Sequence, residues 1–499
     1  MGDESASGIN DHVTSALIHL TDSARGWRCD HRQCLQTPRH SPAAGSARGH
    51  WRRKTATGPR GARSADDVLA HSRFCGRLPG PLWAISHMST RALVAALVPF
   101  DSTMSTSERV RRTTRSRPSL LLAAIAVAAV WALAFELPRF VGLVSSNAGA
   151  NDFRLFYIAA ESGLRWGWPH MYDIHYLDVL SSALGDGNDI KPAFTYANPP
   201  LVAWIAIPLT RVPLALAFYI WTSINLAAFV IAWWLVLPKA GFMRIATLLA
   251  SLAVWPTIYA LERGQPVLLT YALAIGAWSM VRRNRQIEAG VLLALGWAVK
   301  PQDLALLPLV FVMCGFRRAA LWWLLTSSIL WLIFALVLGP NGLGTYLGIL
   351  AWVETSPQHL ADTYAVVVGS GIALPLVEGV LLVLTLLAVW RQRRNWDIAF
   401  AIGLVGTVLA GIHVHEYDYV ALVMSVWLIL RQPVGAIELI WVGVGVVGVQ
   451  ILSVGDRLPI LLWQPVWLAI LALRPSPEPI YLPTAKSSPM RRESTSGAP

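Results

Sequence analysis

Residues 264–302 read GQPVLLTYALAIGAWSMVRRNRQIEAGVLLALGWAVKPQ, which is two apolar runs joined by the basic turn RRNR. Lys and Arg gather in the short loops on the cytoplasmic side of membrane proteins, so we expect this turn to face the cytoplasm. The two runs then predict membrane-spanning helices over 266–281 and 287–299. This hairpin brings Gln265 and Lys300 together at its far ends, on the extracytoplasmic face.

The composition of the whole chain agrees with a membrane protein. Of its 499 residues, 55% are apolar and only 14% are charged, and the mean hydropathy is +0.49. Soluble globular proteins carry about 25% charged residues. The apolar runs recur almost without pause from 119 to 473, which leaves no room for a separate globular domain.

The apolar runs predict an all-α polytopic membrane protein with about 12–13 transmembrane helices. A helix needs about 20 residues to cross the hydrocarbon core, and backbone groups in lipid must be paired within the helix. A long first extracytoplasmic loop is expected at 138–198 and a later one at 339–364, and the short run Pro199–Leu209 is expected to be re-entrant or interfacial. Besides the two spans above, the predicted spans are 119–137, 214–237, 245–261, 303–314, 319–338, 365–390, 398–412, 419–430, 434–452 and 458–473.

The net charge of +12 is concentrated in the amino-terminal segment. Residues 1–118 hold 18 Lys and Arg against 9 Asp and Glu and show no hydrophobic period, so a basic, disordered segment is expected. It is either a basic arm that contacts lipid headgroups or nucleic acid, or an over-extended gene start with Met104 as the true initiator. Residues 119–473 are expected to form the transmembrane domain, and 474–499 a polar tail.

Asp152 is the first candidate for chemistry, in the stretch GANDFRLFYIAA at 149–160. Phe153, Phe156 and Tyr157 follow at helical spacing, which predicts an amphipathic helix lying on the membrane surface. The Asp152 carboxylate is either a helix N-cap or a general base whose proton affinity is raised by partial desolvation.

Tyr196 stands two residues before Asn198 and a proline pair. A rigid turn there would hold the Tyr196 ring at the headgroup level, as a residue of the aromatic belt or as a substrate contact.

Lys300 is the sole lysine between Lys239 and Lys486, and apolar residues flank it. It is either a lysine that extends its ammonium to the membrane surface, or a phosphate contact beside Gln302 in a break between helices.

Three histidines in the later predicted extracytoplasmic loops are candidates for chemistry. His359 lies in ETSPQHLADTY, and His413 and His415 lie in GIHVHEYDY. With Glu416 and Asp418 they could hold a metal ion, but zinc sites usually draw three or four ligands at tighter spacing. A histidine that contacts a phosphate is the favoured interpretation. The four cysteines match no zinc or redox pattern, and no cofactor is expected.

The runs NDFRLFYIAA, FTYANPPLVAWIAIPLTRVPLALAFYIW and GQPVLLTYALAIGAW with AGVLLALGWAVKPQDLALLPLVF resemble glycosyltransferase family 87, over roughly residues 120–430. This resemblance implies a GT-C-like helical bundle with Asp152 as its essential acidic residue. It also implies a donor-phosphate site, to which we assign Lys300, Gln302, Gln265, His413 and His415. Tyr157, Tyr196 and His359 are expected to contact substrate.

The resemblance further implies inverting transfer of a hexose, commonly mannose, from a polyprenyl phosphate to a glycolipid or glycan acceptor. The reaction would take place at the extracytoplasmic face of the cell membrane, with no nucleic acid partner. The competing interpretation is a polytopic transporter or lipid flippase, in which internal repeats and broken helices would place polar groups near the midplane. Here the polar residues gather at one predicted face.

Overall fold

The structure is a computed structural model that describes residues 106–145, 151–184, 196–237, 241–355, 363–369 and 371–475, and within these ranges it is helical and contains no strand. Short 3₁₀ turns cover Trp168–His170, Ile207–Arg211, Glu416–Tyr419 and Leu452–Val454. In chain order the α-helices are α1 (Thr106–Ser145), α2 (Asn151–Trp166), α3 (Ile174–Ala183), α4 (Pro200–Ala206), α5 (Leu214–Val236), α6 (Phe242–Ala253), α7 (Trp255–Arg263), α8 (Val267–Arg282), α9 (Gln286–Val299), α10 (Pro301–Leu304), α11 (Leu307–Met313), α12 (Arg317–Thr355), α13 (Ala365–Val368), α14 (Ala373–Gln392), α15 (Trp396–Leu409), α16 (Val420–Ile429), α17 (Ala436–Ile451) and α18 (Leu458–Leu473).

The prediction of an all-α polytopic membrane protein is confirmed, although fewer helices have full spanning length than the 12–13 predicted. In the part of the chain that the structure describes, five helices are long and apolar enough to cross a bilayer. A sixth span results if α6 and α7, bent by 59° at their junction, count as one. Six further apolar helices have only 10–17 residues. A helix of 16 residues such as α8 covers about 24 Å, which is less than the hydrocarbon core.

Helix α12 continues beyond its predicted end. The span predicted at 319–338 is helical, but the expected loop at 339–364 is helical as far as Thr355. The chain breaks inside α12 at Gly339, whose φ of 63° and ψ of 178° are not helical, and Pro340 follows with no N–H to donate. The break therefore coincides with the predicted end of the span, and a second helical segment follows it.

The expected loop at 138–198 contains much regular structure. Helix α1 extends to Ser145, and α2 and α3 lie within the loop. At its other end, α1 begins at Thr106, inside the segment expected to be disordered. The short run after Pro199 forms α4 and a 3₁₀ turn, too short together to cross the core.

Helix α2 is amphipathic as predicted, but protein rather than lipid covers its apolar face. Phe153 and Phe156 are fully buried, and Trp221 of α5 lies 5.7 Å and 5.9 Å from their rings. Contacts with α3, α4 and α7 complete this cover. Packing against α4 and α5 thus fixes the start of α2, where Asp152 lies.

The buried residues form two hydrophobic clusters that meet along α5 and α9. The larger one is built on α8, which packs between α5 and α9, and on α15, which packs between α14 and α16. The smaller cluster holds α2, α4 and the second segment of α12, where Tyr346 packs on Tyr172 at 4.7 Å. Large apolar side chains on α1, α12, α14 and α17 are exposed, as a lipid-facing surface requires.

At the carboxyl end of α8 a carboxylate joins three helices. Asp397 of α15 accepts hydrogen bonds from Arg282 Nη1 at 2.6 Å and from Trp278 Nε1 at 3.1 Å. Arg431, just after α16, pairs with it at 3.3 Å. This arrangement closes the end of the bundle that carries the RRNR turn.

Asp397→Asn should destabilise the protein, because both arginines would lose their carboxylate while the shape is kept. We expect a loss of about 2–4 kcal/mol, seen as a lower thermal midpoint in detergent. Glu288→Gln is the matched control, since its pair with Arg285 is exposed and its loss should leave the midpoint unchanged. Equal midpoints for Asp397→Asn and the unaltered protein would contradict this role.

Candidate functional site

The residues predicted for chemistry lie largely at the other end of α8. Asp152, in the first turn of α2, accepts a hydrogen bond of 2.8 Å from Gln265 Nε2. Gln265 is buried, whereas Asp152 is half-buried. Asp152 makes no other side-chain hydrogen bond within the described residues. Its carboxylate therefore contacts Gln265 and does not cap helix α2.

A tight turn aims Gln265 at Asp152. Gly264 ends α7 in the left-handed region, with φ 67°, and the Gly264 and Gln265 amides donate to the Leu261 and Ala260 carbonyls. This is a Schellman motif, which requires a residue free to take positive φ. The Gly264 carbonyl accepts a hydrogen bond of 2.7 Å from Trp221 Nε1. The turn is therefore anchored on α5 while it presents its side chains to α2.

Lys300 is buried in an ion cluster with two carboxylates. It ends α9 and is 2% exposed. Its ammonium pairs with Asp418 Oδ1, and with Asp303 Oδ2 at 3.4 Å. Because the ammonium does not reach solvent, a lysine extending to the membrane surface is the wrong description. A contact between Lys300 and a phosphate stays a prediction. The charge of Lys300 is already balanced by Asp303 and Asp418.

Residues 413–418, which we call the histidine loop, contact this ion cluster through Asp418. Asp418 Oδ2 accepts a hydrogen bond of 2.8 Å from the His415 amide, and Tyr271 Oη donates to the Asp418 carbonyl at 3.2 Å. The rings of His413 and His415 are 4.6 Å apart, and His415 lies 5.1 Å from Tyr417. The pair of Lys300 with Asp418 thus holds the loop that carries the two histidines, whose role as phosphate ligands stays a prediction.

A stack of aromatic rings connects the histidine loop with α7. Trp255 and Tyr259 stack at 5.1 Å, and Tyr259 and Tyr417 stack at 5.9 Å. The Lys300 ammonium lies 4.5 Å from the centre of the Tyr417 ring. Tyr259 belongs to α7, which is followed directly by the turn of Gln265, the partner of Asp152, so the carboxylate at 152 and the ammonium at 300 lie at the same end of the bundle.

Sequence reasoning missed the charged residues Glu262 and Arg457 of this site, and it named Glu416 only as a possible metal ligand. Glu416 accepts hydrogen bonds from Trp255 Nε1 at 2.5 Å and from Arg457 at 3.0 Å. Glu262 is buried and pairs with Arg139 at 3.4 Å. The signal that could have found them is a charged residue next to an apolar run, which applies to each of them.

Tyr196 is fully buried among protein side chains, and its position at the headgroup level stays a prediction. Its hydroxyl donates to the Pro199 carbonyl at 2.7 Å and accepts from the Ala203 amide at 3.1 Å. Its ring stacks on Tyr172 at 5.3 Å. Both roles of the hydroxyl are therefore used to hold the start of α4, so the structure gives Tyr196 a structural role.

Tyr157 is nearly buried on α2, where its hydroxyl approaches the Thr210 and Val212 carbonyls at 3.2 and 3.1 Å. Burial, and to a smaller extent the Glu161 carboxylate, raise the pKa of Tyr157, while Arg165 opposes them. The phenol is therefore protonated and acts as a hydrogen-bond donor. A substrate contact by Tyr157 stays a prediction.

The remaining predicted residues are Gln302 and His359. Gln302 is half-buried in α10, and its side chain has no hydrogen-bond partner in the described ranges. His359 lies outside the described residues. Among those that are described, no group of three or more His, Cys, Asp or Glu side chains could hold a metal ion.

The arrangement combines one half-exposed carboxylate with several cations and hydrogen-bond donors. Asp152 can accept a proton from a hydroxyl, while Gln265 keeps its other side hydrogen-bonded. The ion cluster of Lys300, Asp303 and Asp418 is buried and holds the histidine loop. Such a site can deprotonate a nucleophile next to an anionic group.

Residues 194–414 match the family described as Glycosyltransferase family 87. The matched segment contains Gln265, Lys300, Gln302 and His413, so the resemblance seen in the sequence is confirmed there. Asp152 lies before the segment, and its role as the essential acidic residue of the family stays a prediction. No curated protein and no solved structure matches the chain.

Gly264→Ala should destabilise the protein and disturb the contact between Gln265 and Asp152. An added Cβ would lie 2.7 Å from Phe153 Cβ and 2.9 Å from Phe218, at a φ that alanine resists. We expect a loss of about 1–3 kcal/mol, measured as a lower thermal midpoint. Gly344→Ala is the control, because nothing lies within 4 Å of its added Cβ. A Gly264→Ala protein as stable as this control would refute the packing argument.

Lys300→Met should lower the yield of folded protein, since two buried carboxylates would lose their cation. Breaking a buried pair in this way costs about 3–5 kcal/mol. In the double variant Lys300→Met/Asp418→Asn one of these carboxylates is removed, so its loss should be smaller than the sum of the single losses. Thermal midpoints of the four proteins give this coupling, and additive losses would show that the two residues do not depend on each other.

Proposed function

We propose that this helical membrane protein, whose residues 194–414 match glycosyltransferase family 87, transfers a hexose from a polyprenyl-phosphate donor. The acceptor is a glycolipid or glycan of the cell envelope, and mannose is the expected sugar. The observation that carries the proposal is the contact between Asp152 and Gln265. It sets a half-exposed carboxylate at the amino end of α8, which we call the polar end of the bundle.

Asp152 acts as the general base in this proposal. It removes the proton from an acceptor hydroxyl, whose oxygen attacks the anomeric carbon of the sugar. The bond from that carbon to the phosphate oxygen breaks, and polyprenyl phosphate leaves with the bonding electrons. Because attack and departure take place on opposite faces, the anomeric configuration inverts. The hydrogen bond from Gln265 fixes the orientation of the Asp152 carboxylate.

The leaving phosphate gains negative charge as the bond breaks, so donors aimed at it lower the barrier most. Gln265, Gln302, His413 and His415 are the predicted ligands near this position, and His413 and His415 are held side by side. Lys300 supports the subsite by its pair with Asp418, which itself holds the His415 amide. Lys300 is a positioning residue in this arrangement.

The bilayer supplies much of the affinity for the donor. Burial of a prenyl chain contributes about 0.8 kcal/mol per CH₂ group, so the polar site need only orient the sugar and phosphate. The exposed apolar surfaces of α1 and α12 are suited to contact with lipid. The proposed location is the cell membrane, with the polar end of the bundle at the extracytoplasmic face.

Asp152→Asn should lower transfer at least a hundredfold, the usual contribution of a general base, while membrane insertion is unchanged. The measurement is the transfer of label from a polyprenyl-phosphate hexose to acceptor lipids in membranes that contain the full chain. Insertion is followed by immunoblot of the membrane fraction.

Asp173→Asn is the matched control for this experiment. Asp173 caps α3 by accepting from the His175 amide at 2.9 Å, a contact that asparagine preserves. Substantial transfer by Asp152→Asn would show that another group is the base. If the unaltered chain instead moves the lipid across proteoliposomes that lack any acceptor, the transporter interpretation holds.

A further inference from the structure

We infer that the Arg263 guanidinium binds the phosphate of the lipid-linked donor. The inference rests on the proposed function and adds a residue that the sequence motifs do not mark. Arg263 is the last residue of α7, directly before the Gly264 turn, and is half-buried.

The other cations of the site are already paired with carboxylates. Lys300 is held between Asp303 and Asp418. Arg457 pairs with Glu416 at 3.0 Å, and Arg139 pairs with Glu262 at 3.4 Å. The charge of each of these cations is therefore already balanced by a carboxylate.

Arg263 differs from these cations in its surroundings. No carboxylate oxygen of the described residues lies within 4.0 Å of its guanidinium. Its carbon Cζ lies 5.0 Å from the centre of the Tyr259 ring, and its charge acts on the Tyr259 hydroxyl and on Asp152. The Tyr259 ring therefore holds the side chain in place and leaves the N–H groups of the guanidinium without a carboxylate.

The position of Arg263 fits a phosphate in three further ways. The guanidinium presents a planar fork of donors that matches phosphate oxygens, and it is charged at every physiological pH. Arg263 and Gln265 project from the same turn, so one fixed element would carry a ligand of the phosphate and the partner of the proposed base. Tyr259 also stacks on Tyr417, which places Arg263 beside the histidine loop.

The charge around Asp152 is consistent with this role. A carboxylate next to the leaving phosphate would repel it, and a nearby arginine offsets that repulsion. Arg263 is such an arginine, because it lies two residues before Gln265, the hydrogen-bond partner of Asp152. A bound phosphate and the base can therefore coexist on either side of the sugar.

The test is a comparison of phosphate recognition in the full chain. Decaprenyl phosphate and decaprenol are titrated into nanodiscs that hold the unaltered protein, Arg263→Gln, Arg263→Lys or Arg165→Gln, and binding is followed by intrinsic tryptophan fluorescence. Arg165 pairs with Glu161 on α2 and is exposed, so it is the matched arginine control.

We expect the unaltered protein and Arg165→Gln to prefer the phosphate over the alcohol by roughly tenfold to a hundredfold, the range for hydrogen bonds to a charged group. Arg263→Gln should lose this preference, and Arg263→Lys should keep only part of it. Full preference in Arg263→Gln overturns the inference. Should that variant fail to fold, full preference in Arg263→Lys overturns it instead.

The inference and the proposed function fail in different ways. If the unaltered protein prefers the phosphate through Arg263 but transfers no sugar, the phosphate site stands and the proposed transfer is wrong. If the protein transfers sugar and Arg263→Gln retains full preference, the transfer stands and Arg263 is not its phosphate ligand.

Discussion

The buried pair between Lys300 and Asp418 is the constraint on which the polar end of the bundle depends. It joins residues 118 positions apart, and its members are 2% exposed. A charge at membrane depth is costly unless it is paired. The pair therefore fixes the end of α9 against the loop that carries His415. With Tyr271 on the Asp418 carbonyl, it also fixes that loop on α8.

The two ends of α8 use similar chemistry for different purposes. At its carboxyl end Asp397 is shared by two arginines, so the cations are in excess and both carboxylate oxygens are paired. At its amino end Lys300 is shared by two carboxylates, and Asp152 has only an amide donor. The first arrangement closes the bundle. The second leaves the Asp152 carboxylate with a single amide donor.

The sequence predicted the helical class and the meeting of Gln265 with Lys300 at one end of a hairpin, because apolar runs and basic turns follow from the needs of a bilayer. It also predicted an amphipathic helix after Asp152. It did not predict which surface covers that helix, since lipid and protein interiors accept the same apolar residues. The burial of Tyr196 in protein was not predicted for a related reason, because tyrosines at a membrane interface and tyrosines in a protein core have similar local sequences. The pair of Lys300 with Asp418 was beyond reach, because Asp418 is distant in the chain, whereas the second partner, Asp303, lies only three residues from Lys300.

The break at Gly339 and Pro340 separates the two segments of α12 in a way that bears on how the protein can be altered. Proline gives no amide hydrogen to the preceding turn, so the helical direction of the membrane segment is not passed on to the residues that follow. Those residues are oriented instead by their neighbours, with Gly342 against Pro169 and Tyr346 against Tyr172. The two segments of α12 are thus aligned by independent contacts. Position 340 is therefore a suitable junction for a chimeric protein, in which the residues after it are exchanged while the membrane segment before it is kept.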